Sequence, residues 1–281
     1  MLKMSQTDAA LIDNVSAPTI ELHHGSGASA TIHLNGAHVT SWQMPGGQEQ
    51  LFTSTASAFG LGYAIRGGVP IIFPQFSDYG PIKRHGFARN LPWSLIEHEG
   101  ARAVLALIHN EETVKLWPHQ FRCDFEVRLN ADTLTLRLTV HNHDTSGFEF
   151  SAALHTYLRV EDIATTEVHG LFGLHYTDNN DRCELHTDHA LQVEFPGEID
   201  RVYFGVPPSM QITDGTRSLR VSAHGFTDAV VWNPGAEKSS ALADMESNGY
   251  CHFVCVEAAV IEQPIHLDPG ESWSGTQTLS R

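Results

Sequence analysis

Pairs of turn-forming residues interrupt this chain at short intervals, and they limit what it can fold into. Between the pairs lie short runs rich in β-branched and aromatic residues, and only residues 237–246 indicate a helix, which would be short. This rhythm is typical of an all-β sandwich or barrel. The turn pairs of the second half are Pro196-Gly197, Pro207-Pro208, Asp214-Gly215, Pro234-Gly235 and Pro269-Gly270.

Two neighbouring stretches, 123–129 and 133–140, alternate strictly between apolar and polar residues. The apolar side chains occupy the odd positions of the first stretch and the even positions of the second. Side chains two apart on a strand share a face, so each stretch would bury one face. Residues 130–132 form a short connection, and we therefore predict a β-hairpin.

A further strand, predicted over 148–160, carries a candidate functional residue. Its even positions are almost all apolar, whereas its odd positions are mostly polar or amphipathic and include His155. His155 is therefore predicted to point away from the hydrophobic core.

The late stretch 251–256 is apolar on both faces apart from His252, which predicts a central strand covered on both sides. It leads directly into Glu257. A carboxylate at the end of a buried strand is costly unless it is hydrogen-bonded or its pKa rises.

The charge of the chain restricts its partners. With 281 residues and a formal net charge of −16, the protein is not suited to nucleic acid or to an anionic membrane. The first eighteen residues contain Asp8 and Asp13 around a short apolar run, so they indicate neither a signal peptide nor a membrane span. We expect a loose segment over 1–18, one domain over 19–281, and a monomer in the cytoplasm.

The chain has four cysteines, at positions 123, 183, 251 and 255. Residues four apart on a strand are ~13 Å from one another, too far for a disulfide between Cys251 and Cys255. We expect reduced, buried thiols, which fits a reducing compartment.

Residues 66–90 form a basic, Gly- and Pro-rich segment in an otherwise acidic chain. The segment contains Arg66, Lys83, Arg84 and Arg89 against the single acid Asp78. Its glycines and prolines exclude an ordinary strand or helix and predict a long, shaped loop. Paired guanidinium groups suit phosphate and neighbouring aromatic rings suit a sugar, so we predict an anion site, although salt bridges to the many acids would also explain the arginines.

Periodicity alone leaves the roles of His155 and Glu257 open. The chain has 18 histidines, so a structural or surface role is the more common one for any of them. His141 and His143 lie two apart and could share a metal, but their predicted face is the solvent side, and we expect no metal site.

Several motifs, in order, resemble the glucose-6-phosphate 1-epimerases, or hexose-6-phosphate mutarotases, of the aldose 1-epimerase superfamily. The similarity extends from about residue 19 to the C-terminus. Its motifs are Ile65-Arg66-Gly67-Gly68-Val69-Pro70, Phe73-Pro74-Gln75-Phe76, His85-Gly86-Phe87-Ala88-Arg89-Asn90, Leu154-His155-Thr156-Tyr157, Glu198-Ile199-Asp200-Arg201-Val202-Tyr203, Val230-Val231-Trp232-Asn233-Pro234 and Val254-Cys255-Val256-Glu257.

This resemblance implies a galactose-mutarotase-like β-supersandwich of antiparallel sheets, with the sugar bound on the concave face. It implies that His155 is the general acid, Glu257 the general base and Asp200 a ligand of the sugar hydroxyls. The ring of the sugar would open to an aldehyde and close again as the other anomer, without a cofactor. For this chemistry we expect a raised pKa for Glu257 and a near-normal pKa for His155.

The resemblance also assigns residues of the basic segment. Arg66 and Arg89 match arginines attributed to the phosphate, Arg84 stands where many members have a Gln that touches substrate, and His85 is expected to line the sugar site. The chain departs from the family at Gly235, where Trp is usual, and this change would leave more room for the sugar. Ala258 and Ala259 also differ from the residues common after the base.

Two other functions fit the same residues. One is a non-catalytic sugar-phosphate-binding protein, which the presence of both acid–base residues disfavours. The other is an aldose 1-epimerase acting on unphosphorylated hexose, which the arginines disfavour.

Overall fold

The computed structural model describes residues 18–181, 184–215 and 217–281, and strands dominate these residues. The two α-helices are α1 (Glu111–Leu116) and α2 (Gly235–Ser240). The strands are β1 (Thr19–His23), β2 (Ser29–His33), β3 (His38–Gln43), β4 (Ile71–Ile72), β5 (Ser94–Glu99), β6 (Arg102–Ile108), β7 (Phe121–Leu129), β8 (Thr133–Asn142), β9 (Phe148–Leu154), β10 (Tyr157–Arg159), β11 (Thr166–His169), β12 (His175–Asp178), β13 (Leu185–Thr187), β14 (Gln192–Val193), β15 (Ile199–Tyr203), β16 (Ser209–Asp214), β17 (Arg217–His224), β18 (Asp228–Asn233), β19 (Phe253–Leu267) and β20 (Ser272–Ser280).

Two large antiparallel sheets and one small sheet make up the architecture. The nine-stranded sheet has the order β14-β11-β16-β17-β20-β8-β7-β6-β5. The eight-stranded sheet has the order β13-β12-β15-β18-β19-β9-β4, with β10 also paired to β19, and β1-β2-β3 form the small sheet. The predicted all-β class is therefore confirmed.

The main core consists of alternate side chains from both large sheets. Leu136 and Leu138 of β8 belong to it, and so do Leu154 of β9 and Val256 of β19, all of them fully buried. These even-numbered residues are the apolar sets that the alternation predicted. The hairpin is also confirmed, because Leu129 and Leu134 pair at the ends of β7 and β8.

A second, smaller cluster covers the opposite face of the eight-stranded sheet. The odd-numbered residues Ala153, Tyr157, Cys255 and Ala259 contribute to it. Side chains from loops, such as Phe76, pack onto this face. The strand β19 is thus buried on both sides, as predicted for a central strand.

Three local predictions are wrong in detail. The strand predicted over 148–160 is interrupted at residues 155 and 156, where β9 ends and β10 has not begun. Cys251 lies in a 3₁₀ turn, Gly249–His252, because β19 begins only at Phe253. The helix α1 was not predicted, although Asn110 caps it by accepting hydrogen bonds from the backbone N–H groups of Glu112 and Thr113.

The predicted loose segment lies outside the described residues, apart from Pro18, and so does Cys183. Cys123, Cys251 and Cys255 are free thiols. Among the described residues, neither α-helix nor any other helical segment has the length and apolarity needed to cross a membrane.

Candidate active site

The pairing of strands brings His155 and Glu257 together. Leu154 lies opposite Ala258, and Tyr157 lies opposite Cys255. Because the strands are antiparallel, the residue after Leu154 lies opposite the residue before Ala258, which places His155 opposite Glu257. Both side chains then share the face of the second apolar cluster, since odd-numbered residues of these strands point to that side.

The two side chains are close and nearly inaccessible to solvent. Nδ1 of His155 lies 3.1 Å from Oε1 of Glu257. His155 is 8% exposed and Glu257 is 1% exposed. No described residue forms a hydrogen bond with this imidazole nitrogen or with Oε2 of Glu257. The two atoms are therefore close enough for an ion pair, but they are not aligned for a hydrogen bond.

Burial dominates the protonation of both groups. It raises the pKa of Glu257 well above its usual value, and the nearby Asp200 raises it further, whereas Arg89 opposes the shift. Burial also lowers the pKa of His155 well below its usual value, together with His85, Arg89 and Arg66. The raised pKa of Glu257 agrees with expectation, but the near-normal pKa expected for His155 is wrong, because the second apolar cluster covers it.

The basic segment 66–90 follows the edge of the eight-stranded sheet next to these residues. The backbone N–H of Tyr157 donates to Gly68 O, and that of His155 donates to Pro70 O, at 2.9 and 3.0 Å. Gly68 has a φ of +58°, and a Cβ there would lie 2.2 Å from Val39 O, so this close approach requires glycine. These contacts hold the start of the segment against the sheet, and Arg66, Arg84, His85 and Arg89 line one opening.

Two of the three arginines near the opening have carboxylate partners. Arg66 Nη2 lies 3.1 Å from Asp244 Oδ2, and its Nη1 donates to Tyr157 OH at 3.1 Å. The exposed Arg84 pairs with Asp78 at 2.7 Å.

Arg89 differs from these two arginines. No described carboxylate forms an ion pair with it, and its Nη2 donates only a long 3.4 Å hydrogen bond to Arg84 O. Burial lowers the pKa of Arg89 to about 10. It is therefore a partly buried cation that no described carboxylate neutralises through an ion pair, and this arrangement favours an incoming anion.

His85 lies between the arginines and the pair formed by His155 and Glu257. Its ring centroid is 5.9 Å from that of His155, in an edge-to-face arrangement. Its backbone has a φ of +65°, and its Nδ1 accepts a hydrogen bond from the Ser77 N–H at 3.3 Å. Burial, followed by Arg89 and Arg84, lowers the pKa of His85, so its ring is neutral.

Asp200 occupies the side of the opening formed by β15. It is 7% exposed, and Asn179 Nδ2 donates to its Oδ1 at 2.8 Å. Lys238 Nζ lies 3.8 Å from Oδ2. Burial raises the pKa of this carboxyl, and the Asn179 hydrogen bond and Lys238 counteract part of that shift.

One cavity of about 360 Å³ brings all seven predicted site residues together, and its size is within the usual range for small-molecule sites. Their individual roles stay predictions. The remaining lining residues are Phe76, Ser77, Asn179, Val230, Trp232, Lys238 and Leu242.

Sequence reasoning missed the polar residues Asn179 and Lys238. Lys238 follows the Trp232-Asn233-Pro234 motif by four residues and was the one cation near it, so its position offered a signal. Gly235 itself does not line the cavity, and the expectation that it leaves more room for the sugar stays a prediction. It has a φ of +61°, and a Cβ there would lie 2.8 Å from Glu198 N.

The histidine pair considered for a metal has other contacts. His141 Nε2 lies 3.1 Å from Asp124 Oδ2, on the outer side of the nine-stranded sheet. Within the described ranges, no group of three or more His, Cys, Asp or Glu side chains is arranged to hold a metal ion.

Known proteins resemble this chain over most of its length. Residues 18–280 match the family described as "Aldose 1-epimerase". A protein from Cenchrus ciliaris is 38% identical over 265 residues, covering 89% of this chain and 80% of its own. A protein from Escherichia coli K12 is 37% identical over 254 residues, covering 85% of this chain and 84% of its own. Both carry the name "Putative glucose-6-phosphate 1-epimerase".

A solved structure supports the same relationship. The crystal structure of a "putative mutarotase" from Salmonella typhimurium superposes with a TM-score of 0.85 at 33% identity. The match covers 93% of this chain and 89% of that protein. The predicted mutarotase-like fold is thus confirmed, and the chain belongs to the aldose 1-epimerase family of isomerases.

Proposed function

We propose that the protein interconverts the α and β anomers of a hexose 6-phosphate, and that glucose 6-phosphate is the substrate. The observation that carries this proposal is the cavity itself, in which a buried His–Glu pair lies beside the partly buried guanidinium of Arg89, which has no ion-pair partner among the described residues. The names of the relatives support the choice of sugar. The reaction needs no cofactor, and a cytoplasmic monomer, expected from the sequence, is part of the proposal.

The acid–base pair carries the number of protons that this reaction needs. Burial shifts the pKa values of both groups towards their neutral forms, and a pair of neutral groups carries one proton, on the carboxyl group of Glu257. Transfer of that proton across the 3.1 Å separation gives a carboxylate and an imidazolium. These are the forms of a general base and a general acid.

Ring opening then proceeds by two proton transfers. The Glu257 carboxylate takes the proton of the anomeric hydroxyl while the His155 imidazolium gives a proton to the ring oxygen. The bond between the anomeric carbon and the ring oxygen breaks, and an aldehyde forms. After rotation about C1–C2, the same steps in reverse close the ring with the opposite configuration, and both residues regain their starting states.

Substrate binding would favour the reactive protonation state. Arg89 and Arg66 both lower the pKa of His155 in the free protein. A bound phosphate dianion would offset these positive charges, so it would raise the pKa of His155 and move the shared proton towards the imidazole. The phosphate would therefore assist the chemistry as well as the binding.

The runner-up function is epimerisation of an unphosphorylated hexose. The pairing of Arg66 with Asp244 and of Arg84 with Asp78 favours it, because these two cations are already neutralised. Arg89 argues for the phosphate, since a neutral sugar would cover this partly buried cation without supplying a counter-charge.

Exchange NMR of the anomeric protons tests the proposal directly. The rate of α-to-β exchange is measured for glucose 6-phosphate and for glucose, with the protein and with the same protein after heat inactivation. We expect a much larger acceleration for glucose 6-phosphate. Equal acceleration of both sugars would favour the runner-up, and binding without acceleration would identify a sugar-phosphate-binding protein.

A further inference from the structure

Two neighbours determine the charge and the orientation of Asp200. Asn179 occupies one carboxylate oxygen with its side-chain amide, at 2.8 Å, and its backbone N–H also donates to Asp200 O at 2.9 Å. Lys238 faces the other oxygen at 3.8 Å. Asp200 is buried in a wall of apolar side chains, among them Val230 and Trp232, so an ionised carboxylate there depends on these contacts.

A second carboxylate holds Lys238 in this position. Glu198 immediately precedes β15 and Asp200 is the second residue of that strand, and the ammonium group of Lys238 lies near both carboxylates. The Lys238 ammonium donates to Glu198 Oε1 and lies beside Asp200. Lys238 itself belongs to α2, which begins at the left-handed Gly235 packed against Glu198.

Asp200 experiences charges of both signs. Lys238 and Arg84 are the cations that favour its ionised form, and Glu198 opposes them. Asp200 in turn acts against the ionised form of Glu257. If Asp200 and Glu257 are both ionised, the cavity holds two negative carboxylates. Lys238 is the cation that forms an ion pair with one of them, Asp200.

We propose that Lys238 is a positioning residue for the reaction: held by Glu198, its ammonium group keeps Asp200 ionised and directed into the cavity. This inference rests on the proposed function for its effect on turnover. The effect of Lys238 on the ionisation of Asp200 concerns the free protein, so this effect can be tested whether or not the proposed function is correct.

The first measurement is a carboxyl-carbon NMR titration of Asp200 in the free protein, with its signal assigned from Asp200→Asn. In Lys238→Met we expect the pKa of Asp200 to rise, because the cation nearest to it is lost. In Lys238→Arg the original titration should return. Lys115→Met, on the remote helix α1, is the matched control for loss of one lysine, and it should titrate as wild type.

Glu198→Gln gives an effect of opposite sign. It removes a negative charge near Asp200 but keeps a side-chain oxygen that accepts a hydrogen bond from Lys238, so Lys238 stays in place and the pKa of Asp200 should fall. An unchanged Asp200 titration in Lys238→Met would overturn the proposal, whatever the result in Glu198→Gln.

The second measurement links the charge to turnover. Because the side chain of Lys238 is 42% exposed, we expect Lys238→Met to raise KM by roughly two- to fivefold, with kcat little changed. The acidic limb of the kcat/KM profile should move to higher pH and return in Lys238→Arg. An active wild type with an unshifted profile in Lys238→Met would refute the role in turnover, whereas an inactive wild type would refute the proposed function instead.

Discussion

The two ends of the cavity use charge in different ways. At one end, His155 and Glu257 belong to the sheet, are almost fully buried, and have pKa values shifted towards their neutral forms. At the other end, Arg66 and Arg84 come from a loop and are paired with acids that lie outside the cavity lining. At the first end the charged forms of the side chains are unfavourable. At the second end most of the positive charges have carboxylate partners.

This difference matches the two tasks that we assign. Proton transfer requires groups whose charged and neutral forms have similar free energies, and burial in the sheet achieves this for a carboxyl and an imidazole. Holding a phosphate requires a permanent positive charge that water does not fully screen. Arg89 combines features of both ends, because it is a cation of the basic segment that is partly buried and has no ion-pair partner among the described residues.

The largest effect should come from breaking the acid–base end. Glu257→Gln and His155→Ala each remove a proton-transfer group, and loss of such a group commonly costs about 10²- to 10⁴-fold in rate. We expect kcat for anomer exchange to fall by that factor, as measured by exchange NMR.

Binding provides the control for this experiment. Calorimetric titration with glucose 6-phosphate should still show binding in both variants, since the basic residues are intact. Near-normal turnover in either variant would remove that residue from the mechanism and place the chemistry elsewhere in the cavity.

The next prediction separates the paired arginine from the unpaired one. Charge-assisted contacts are worth roughly 1.5–3 kcal/mol, or about ten- to a hundredfold in affinity. Arg89→Ala should raise KM for glucose 6-phosphate by this factor, with a smaller change in kcat. Arg66→Ala should have a weaker effect, because Asp244 already neutralises part of its charge.

Glucose is the comparison substrate for both arginine variants, and the exposed Arg220→Ala is the control variant. Activity towards glucose should hardly change, as this sugar has no phosphate to hold. Equal losses with both sugars would show that the arginines are structural and that the phosphate assignment fails.

Acid should destabilise the protein through its buried, neutral histidines. Burial lowers the pKa values of His38, His85 and His155 below 6.5, the value of an ordinary histidine. Below pH 6.5 the unfolded chain therefore binds protons that the folded protein does not. Each of these groups should cost about 1.4 kcal/mol of unfolding free energy per pH unit below 6.5.

Urea unfolding at several pH values tests this slope. His85→Asn keeps a residue type that tolerates positive φ, and it should lower the slope by the share of one histidine. A slope identical to wild type would mean that His85 is protonated in the folded protein, which would weaken the description of a neutral ring between the arginines and the acid–base pair.

Part of this site could be predicted from the sequence, and part could not. Alternation along 148–160 correctly placed His155 on the face opposite the main core, because side-chain direction follows from the period of a strand. The partner of His155, Glu257, could not be found in this way, because the register between the two strands brings together residues that are 102 positions apart in the sequence. The pairing of Arg66 with Asp244 is equally non-local.

The pKa of His155 was misjudged for a related reason. A polar face was taken to be a solvated one, whereas loop residues such as Phe76 cover this face with a second apolar cluster. Loop packing has no periodic signal in the sequence. The resemblance to the family supplied the site residues, and neither source indicated that Arg89 lacks a carboxylate partner.

The smallest effect that we predict is a gain of stability at the acid–base end. The folded pKa of Glu257 lies above its unfolded value of 4.5, so its stability contribution is favourable only at low pH and is lost as the pH rises towards the folded pKa. Near neutral pH the carboxyl therefore destabilises the fold. Glu257→Gln keeps the shape and removes this cost, with an expected gain of roughly 0.5–2 kcal/mol.

The measurement is urea unfolding of wild type, Glu257→Gln and the control Glu262→Gln, which alters an exposed residue of the same strand. The gain should appear at pH 7.5 only for Glu257→Gln, and it should shrink as the pH falls and vanish well below pH 4.5, where the unfolded carboxyl is also protonated. A loss of stability at pH 7.5 would mean that Glu257 and His155 already form a stable ion pair in the free protein. The contrast between the two ends would then be wrong, because His155 and Glu257 would be charged and paired before substrate binds, as most of the arginines are.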